Sequence, residues 1–175
     1  MITALRDQTQ HPVVVLSNGT LLPDEKVRQE LVLADQVAVK LDGITSAQVE
    51  RVNRPLEAFN LEEILLGLYL FRQEYAQHLA LQTMILTPWS EQEEAAYIQL
   101  LLRLQPDEVQ LNIPSRPRVL SRQLWARGNQ PPLGRQTHGL RKLNCVNQEV
   151  LTDFADRIRS ATGIHVRCAP RGQET

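Results

Sequence analysis

Four short apolar runs recur along the chain with capped, helix-patterned stretches between them, and this alternation limits the fold more than any other feature. The runs are 13–16 (Val-Val-Val-Leu), 37–41 (Val-Ala-Val-Lys-Leu), 79–86 and 109–113. Their starts lie 24, 42 and 30 residues apart, far enough to hold a crossover helix at each step. Strand, helix, strand repeated in this way predicts a parallel sheet with right-handed connections. The first run is apolar at every position, which predicts a strand covered on both faces.

Helix signals sit where the pattern needs them. Pro23-Asp24-Glu25 places a proline and two acids at a first turn ahead of Val27, Leu31 and Val32. Asn60 with Glu63, and Ser90 with Glu93, read as capping pairs before amphipathic stretches. The 42-residue step also holds a short helix near 46–52, closed by Arg54-Pro55. Residues 114–135 carry four prolines and two glycines and read as loop. A last unit follows: Asn147 to Ala161 is amphipathic, Gly163 stops it, and 164–168 reads as a short strand.

Charge divides the chain. A net charge of −1 excludes a uniformly basic nucleic-acid binder, yet residues 1–115 carry −8 and residues 116–175 carry +7. Arg116, Arg118, Arg122, Arg127, Arg135 and Arg141, with Trp125 among them, read either as a solvated basic face or as a contact for RNA phosphates. Two cysteines, Cys145 and Cys168, are too few for a disulfide framework or a three-cysteine iron–sulfur site. His11, His78, His138 and His165 are scattered without metal spacing, and no Gly-x-Gly-x-x-Gly or Walker loop exists. No signal-peptide core or 18-residue apolar run is present, so the expectation is a cytoplasmic protein with no membrane partner.

In a parallel α/β fold, ligands meet the carboxyl ends of the strands. Those ends are Ser17-Asn18-Gly19-Thr20, Lys40-Leu41-Asp42-Gly43, Thr87-Pro88-Trp89-Ser90 and Asn112-Ile113-Pro114-Ser115-Arg116. Asn18-Gly19 is either an ordinary turn or a polar rim. Lys40 and Asp42 project to one side of their strand and need either each other, solvent or a polar ligand.

Val13 to Leu22, Val39 to Gly43, Val52-Asn53-Arg54-Pro55, Glu63 to Leu68 and Val109 to Pro117, in this order and spacing, resemble the radical S-adenosylmethionine (radical SAM) superfamily. The closer likeness is to its iron–sulfur oxidoreductase branch related to wybutosine-synthesis enzymes. The resemblance covers residues 12–118 and implies an α/β fold, a partial parallel (βα) barrel equivalent to strands three to six of a (βα)6 barrel. It implies SAM and a [4Fe-4S] cluster as cofactors, with reductive SAM cleavage and radical hydrogen abstraction as the chemistry. By motif position it implies SAM contacts from Ser17, Asn18, Gly19, Lys40, Asp42 and Asn112, and a substrate contact from Arg116. The family's Cys-x3-Cys-x2-Cys loop and Gly-Gly-Glu segment are absent from this chain. The expected organisation is a partial barrel over 1–118, a basic Pro/Gly-rich linker over 119–146 and a helix–strand tail over 147–175. The chain is then read as the C-terminal portion of a radical SAM enzyme, or a truncated one, whose complementary N-terminal segment or subunit carries the cluster. The alternative reading is a non-catalytic barrel remnant that binds a partner or RNA. The split-enzyme reading predicts apolar surface left open at the first strand.

Overall fold

A computed structural model describes residues 1–53, 59–113 and 146–169, and the backbone of 118–119 and 140–141. In chain order the elements are α1 (Ile2–Gln8), β1 (Val14–Ser17), α2 (Glu25–Leu31), β2 (Gln36–Lys40), α3 (Ser46–Asn53), α4 (Leu61–Glu74) and β3 (His78–Met84). Then come α5 (Glu91–Leu104), β4 (Glu108–Asn112), β5 (Arg118–Val119), β6 (Leu140–Arg141), α6 (Gln148–Thr162) and β7 (His165–Cys168). Five strands form one parallel sheet in the order β1-β2-β3-β4-β7, and β5 pairs with β6 antiparallel as a separate ribbon. The four expected strands and their intervening helices are all present. The last strand, β7, joins the same sheet beside β4. Helix α1 has no counterpart in the sequence reading; it buries Ile2 into the core.

Asn60 and Ser90 cap their helices as the sequence placed them, and Asp24 and Asn147 cap α2 and α6 in addition. Asp24 accepts from the Lys26 N–H, Asn60 from the N–H groups of Glu62 and Glu63, and Asn147 from that of Val150. Ser90 and Glu93 make a reciprocal capping box. Helix α4 approaches the turn before α2 so closely that a Cβ on Gly67 would lie 2.6 Å from the Leu22 carbonyl carbon and the Pro23 nitrogen. Arg28, almost wholly buried, fastens the same corner: its Nε meets Glu74 Oε2 at 3.0 Å and its Nη1 donates to the Leu22 and Pro23 carbonyls.

Strand register sorts the side chains into two faces. One face carries Val15, Val37, Val39, Leu79, Leu81, Val109, Leu111 and Val166, paired across the sheet. These pack with Leu68 and Phe71 of α4, Leu101 of α5 and Leu151 and Ile158 of α6, forming the hydrophobic core. The other face is polar and lacks a helical layer among the described residues. This corrects the expectation for the first run. Strand β1 is an edge strand, and Val14 and Leu16, on its far face, are 49% and 70% exposed. An all-apolar run reports what a strand can bury, and here only one side has something to bury against.

Candidate functional site at the open face

The open face is built in rows, because neighbouring parallel strands hold paired residues at one height. Leu16, Ala38, Ala80, Glu108 and His165 make the lower row; Lys40, Gln82, Gln110 and Arg167 make the next. Above them, at the carboxyl ends, lie Asp42, Met84 and Asn112. The two buried alanines are small, so the longer side chains around them meet across the sheet.

Lys40 and Asp42 form an ion pair of 2.8 Å between Nζ and Oδ2. The Asp42 side chain is fully buried; its Oδ1 accepts from the Met84 N–H at 2.9 Å and its Oδ2 from Asn53 Nδ2 at 2.7 Å. Asn53, at the end of α3, also accepts from Lys40 Nζ at 2.6 Å. This carboxylate is therefore fully partnered, which is what its burial demands. Lys40 is 37% exposed, and two of its three N–H donors are engaged by these partners, so the third can reach an acceptor at the rim.

The other sequence-derived candidates divide. Ser17 Oγ accepts from the Gly19 N–H at 3.1 Å, and Asn18 Oδ1 accepts from both the N–H and hydroxyl of Thr20. Gly19 has φ of 76°, and a Cβ there would sit 3.1 Å from Val39 Cγ1. These three residues make a tight turn over the helix-side core. Asn112 lines a recess with Gln82, Gln110, Arg167, Cys168 and Ala169. Arg116, the arginines at 122, 127 and 135, Trp125, His138 and Cys145 lie outside the described residues, as do the side chains of Arg118 and Arg141. Trp89 turns away from the strand ends: it packs edge-on to Tyr97 at 5.3 Å and against Phe154 at 5.5 Å, between α5 and α6.

Sequence reasoning missed the partnerships that link the two rows. Glu108 is buried on the open face and takes Arg167 Nε on Oε1 at 3.0 Å, with His78 Nε2 3.4 Å from Oε2. Gln110 Nε2 donates to Glu108 Oε2 at 3.1 Å, and Gln82 Nε2 donates to Gln110 Oε1 at 2.7 Å. Part of the signal was present: Glu108-Val-Gln-Leu-Asn alternates polar with apolar, the mark of a sheet with one open face, whereas Leu79-Ala-Leu breaks that pattern in β3.

The described residues do not fit an iron–sulfur cluster. Among the described residues no three His, Cys, Asp or Glu side chains gather as metal ligands. Cys168 faces the helix layer, its Sγ 3.9 Å from the Leu151 carbonyl, and burial pushes its thiol pKa up, against thiolate ligation. No helix among the described residues is long and apolar enough to cross a membrane.

Among solved structures, the chain is similar to a domain of a pyruvate-formate lyase-activating enzyme from Bacteroides vulgatus. The TM-score is 0.64 at 12% identity, over 97% of this chain and 89% of that one. It is also similar to a radical SAM methyltransferase from Sphaerobacter thermophilus (TM-score 0.53, 16% identity, 89% of this chain and 39% of that one). A third likeness is to Streptococcus suis SuiB bound to S-adenosylmethionine (TM-score 0.60, 9% identity, 99% and 36%). The fold is that of a partial radical SAM barrel. No family model matches the sequence. Relatives of this partial barrel include a UPF0026 protein of Synechocystis sp., 42% identical over 97% of the chain, and a UPF0026 protein of Methanocaldococcus jannaschii, 32% identical over 61%. The partial barrel spans 64% of the first and 34% of the second.

Proposed function

We infer that this partial barrel is the C-terminal part of a radical SAM iron–sulfur enzyme of the branch related to wybutosine synthesis, and that its open face lines the reaction chamber. The observation that supports this reading is the Lys40–Asp42–Asn53 cluster at the carboxyl ends of a parallel sheet whose long helices α4, α5 and α6 pack on the opposite face. In this reading SAM and a [4Fe-4S] cluster would supply radical chemistry, and this chain would hold SAM through Lys40 rather than the cluster. The cluster ligands are assigned to a complementary segment or subunit, since the described residues offer none.

The chain's own residues have three tasks in this reading. Buried Asp42 fixes the Lys40 ammonium at the rim, where its remaining donor meets a ribose oxygen or carboxylate of SAM. Asn53 locks α3 onto that pair, so the rim is rigid before ligand arrives. The polar second row then faces the substrate. The exposed edge of β1, with Val14 and Leu16, is where further strands would pair.

Calorimetric titration of SAM into the chain joined to the remaining third of a Synechocystis-type relative tests the reading. Binding that weakens about tenfold in Lys40→Ala, with the melting transition retained, supports it. No SAM binding by the joined protein overturns it.

A further inference from the structure

The geometry points to Glu108 as the residue that sets the hydrogen-bond polarity of the open face, making Gln82 an acceptor and selecting an anionic ligand that carries an N–H or O–H donor. This inference rests on the proposed chamber and adds the class of molecule the chamber takes.

A carboxylate only accepts, and Glu108 stands in an ion pair with Arg167 at 3.0 Å. Gln110 must therefore turn its NH2 group toward Glu108, at 3.1 Å. That places the Gln110 carbonyl toward Gln82, whose own NH2 must fill it, at 2.7 Å. Two carboxamides, each able to face either way in isolation, are thus fixed in one direction. Gln82 Oε1 is left with no protein donor among the described residues, at the centre of the row between Lys40 and Gln110.

At the other end of the row, Arg167 is 63% exposed and spends only its Nε on Glu108, so its terminal N–H groups face outward. Gln82 and Arg167 stand two strands apart, roughly 10 Å between backbones, and the recess they line with Gln110 and Asn112 lies between them. A matching ligand offers a carboxylate or phosphate to the guanidinium and a donor to Gln82 Oε1. A ligand with an acceptor in the second position meets two opposed lone pairs and is disfavoured.

The test is 15N-edited NMR of the chain, following the Gln82 and Gln110 side-chain NH2 signals at millimolar ligand. Succinamate and phosphonoacetamide probe the carboxylate and phosphonate forms of the class. Monomethyl succinate lacks the N–H, and succinamide lacks the anion. The expected result is that at least one of the two anionic amides binds about fivefold tighter than both controls. In Glu108→Gln the ladder is free to reverse, and the preference over monomethyl succinate disappears while the preference over succinamide stays. Gln82→Met, which removes the acceptor without touching the ion pair, is expected to lose the same preference, and it decides the matter if Glu108→Gln does not fold. Equal binding of succinamate and monomethyl succinate to the natural chain, or a preference that survives in Gln82→Met, overturns the inference. A SAM titration on the joined protein separates the two levels. SAM binding without donor selectivity removes the ladder's role alone, whereas donor selectivity without SAM binding removes the radical SAM reading and leaves the ladder.

Discussion

Two buried tyrosines report on the core at the scale of single residues. Tyr75 donates to the Ala34 carbonyl at 3.1 Å, and burial, followed by Asp35 and Asp107, pushes its pKa up to about 12. Burial pushes Tyr97 up as well. The Thr83 hydroxyl gives its single proton to the Leu41 carbonyl at 2.8 Å, so the 2.7 Å contact with Tyr97 has the phenol as donor. Because the folded state favours the neutral phenol, Tyr75 contributes stability in full below pH 10 and loses it as pH rises through about 12. Absorbance at 295 nm is expected to show at least two of the three tyrosines un-ionised at pH 11 in the folded protein and ionised on adding denaturant. At the rim, Asp42→Ala strips acceptors from the Met84 N–H, Asn53 and Lys40 together. A loss of about 1–3 kcal/mol in urea unfolding is expected, the lower end applying where Lys40 swings into solvent.

At the scale of elements, the fit of α4 against the α2 corner depends on an absent side chain. Gly67→Ala raises helix propensity by about 1 kcal/mol in isolation, yet the new Cβ would meet backbone at 2.6 Å. The clash dominates, and a net destabilisation of about 2 kcal/mol by thermal melting is expected. Ser90→Ala removes one half of the α5 capping box, for about 1 kcal/mol. Much of this level was legible in the sequence. The caps at Asn60 and Ser90 have local chemistry, so three or four residues suffice to read them. The strands carried their own apolar runs. What the sequence did not disclose was pairing at a distance: Asn53 reaching back to Lys40 and Asp42, Arg28 reaching Glu74, and Gln82, Gln110, Glu108 and Arg167 meeting across three strands. Each depends on register, which no local pattern states. The Lys40–Asp42 pair was visible because both partners lie on one strand. Val13 to Leu16 misled for the opposite reason, since composition cannot tell an edge strand from a central one.

For the whole molecule, the governing fact is that the sheet is packed on one side and open on the other. The edge at β1 leaves Leu16 70% exposed, and covering such a side chain is worth about 1.5–3 kcal/mol. Self-association of the isolated chain through this edge is expected, rising with concentration in size-exclusion chromatography with light scattering. Leu16→Lys is expected to abolish it while moving the unfolding free energy by about 0.5 kcal/mol or less. A monodisperse natural chain at high concentration would contradict this. The one-sided core has a consequence for how such a sequence drifts. The residues that hold the fold and the residues proposed to meet a ligand point in opposite directions from the same five strands, alternating position by position. Selection acting on one set is nearly blind to the other. The helix-facing positions are pinned by packing, whereas the rows through Ala38, Ala80, Gln82 and Gln110 are free to be rewritten two residues at a time without unmaking the scaffold beneath them.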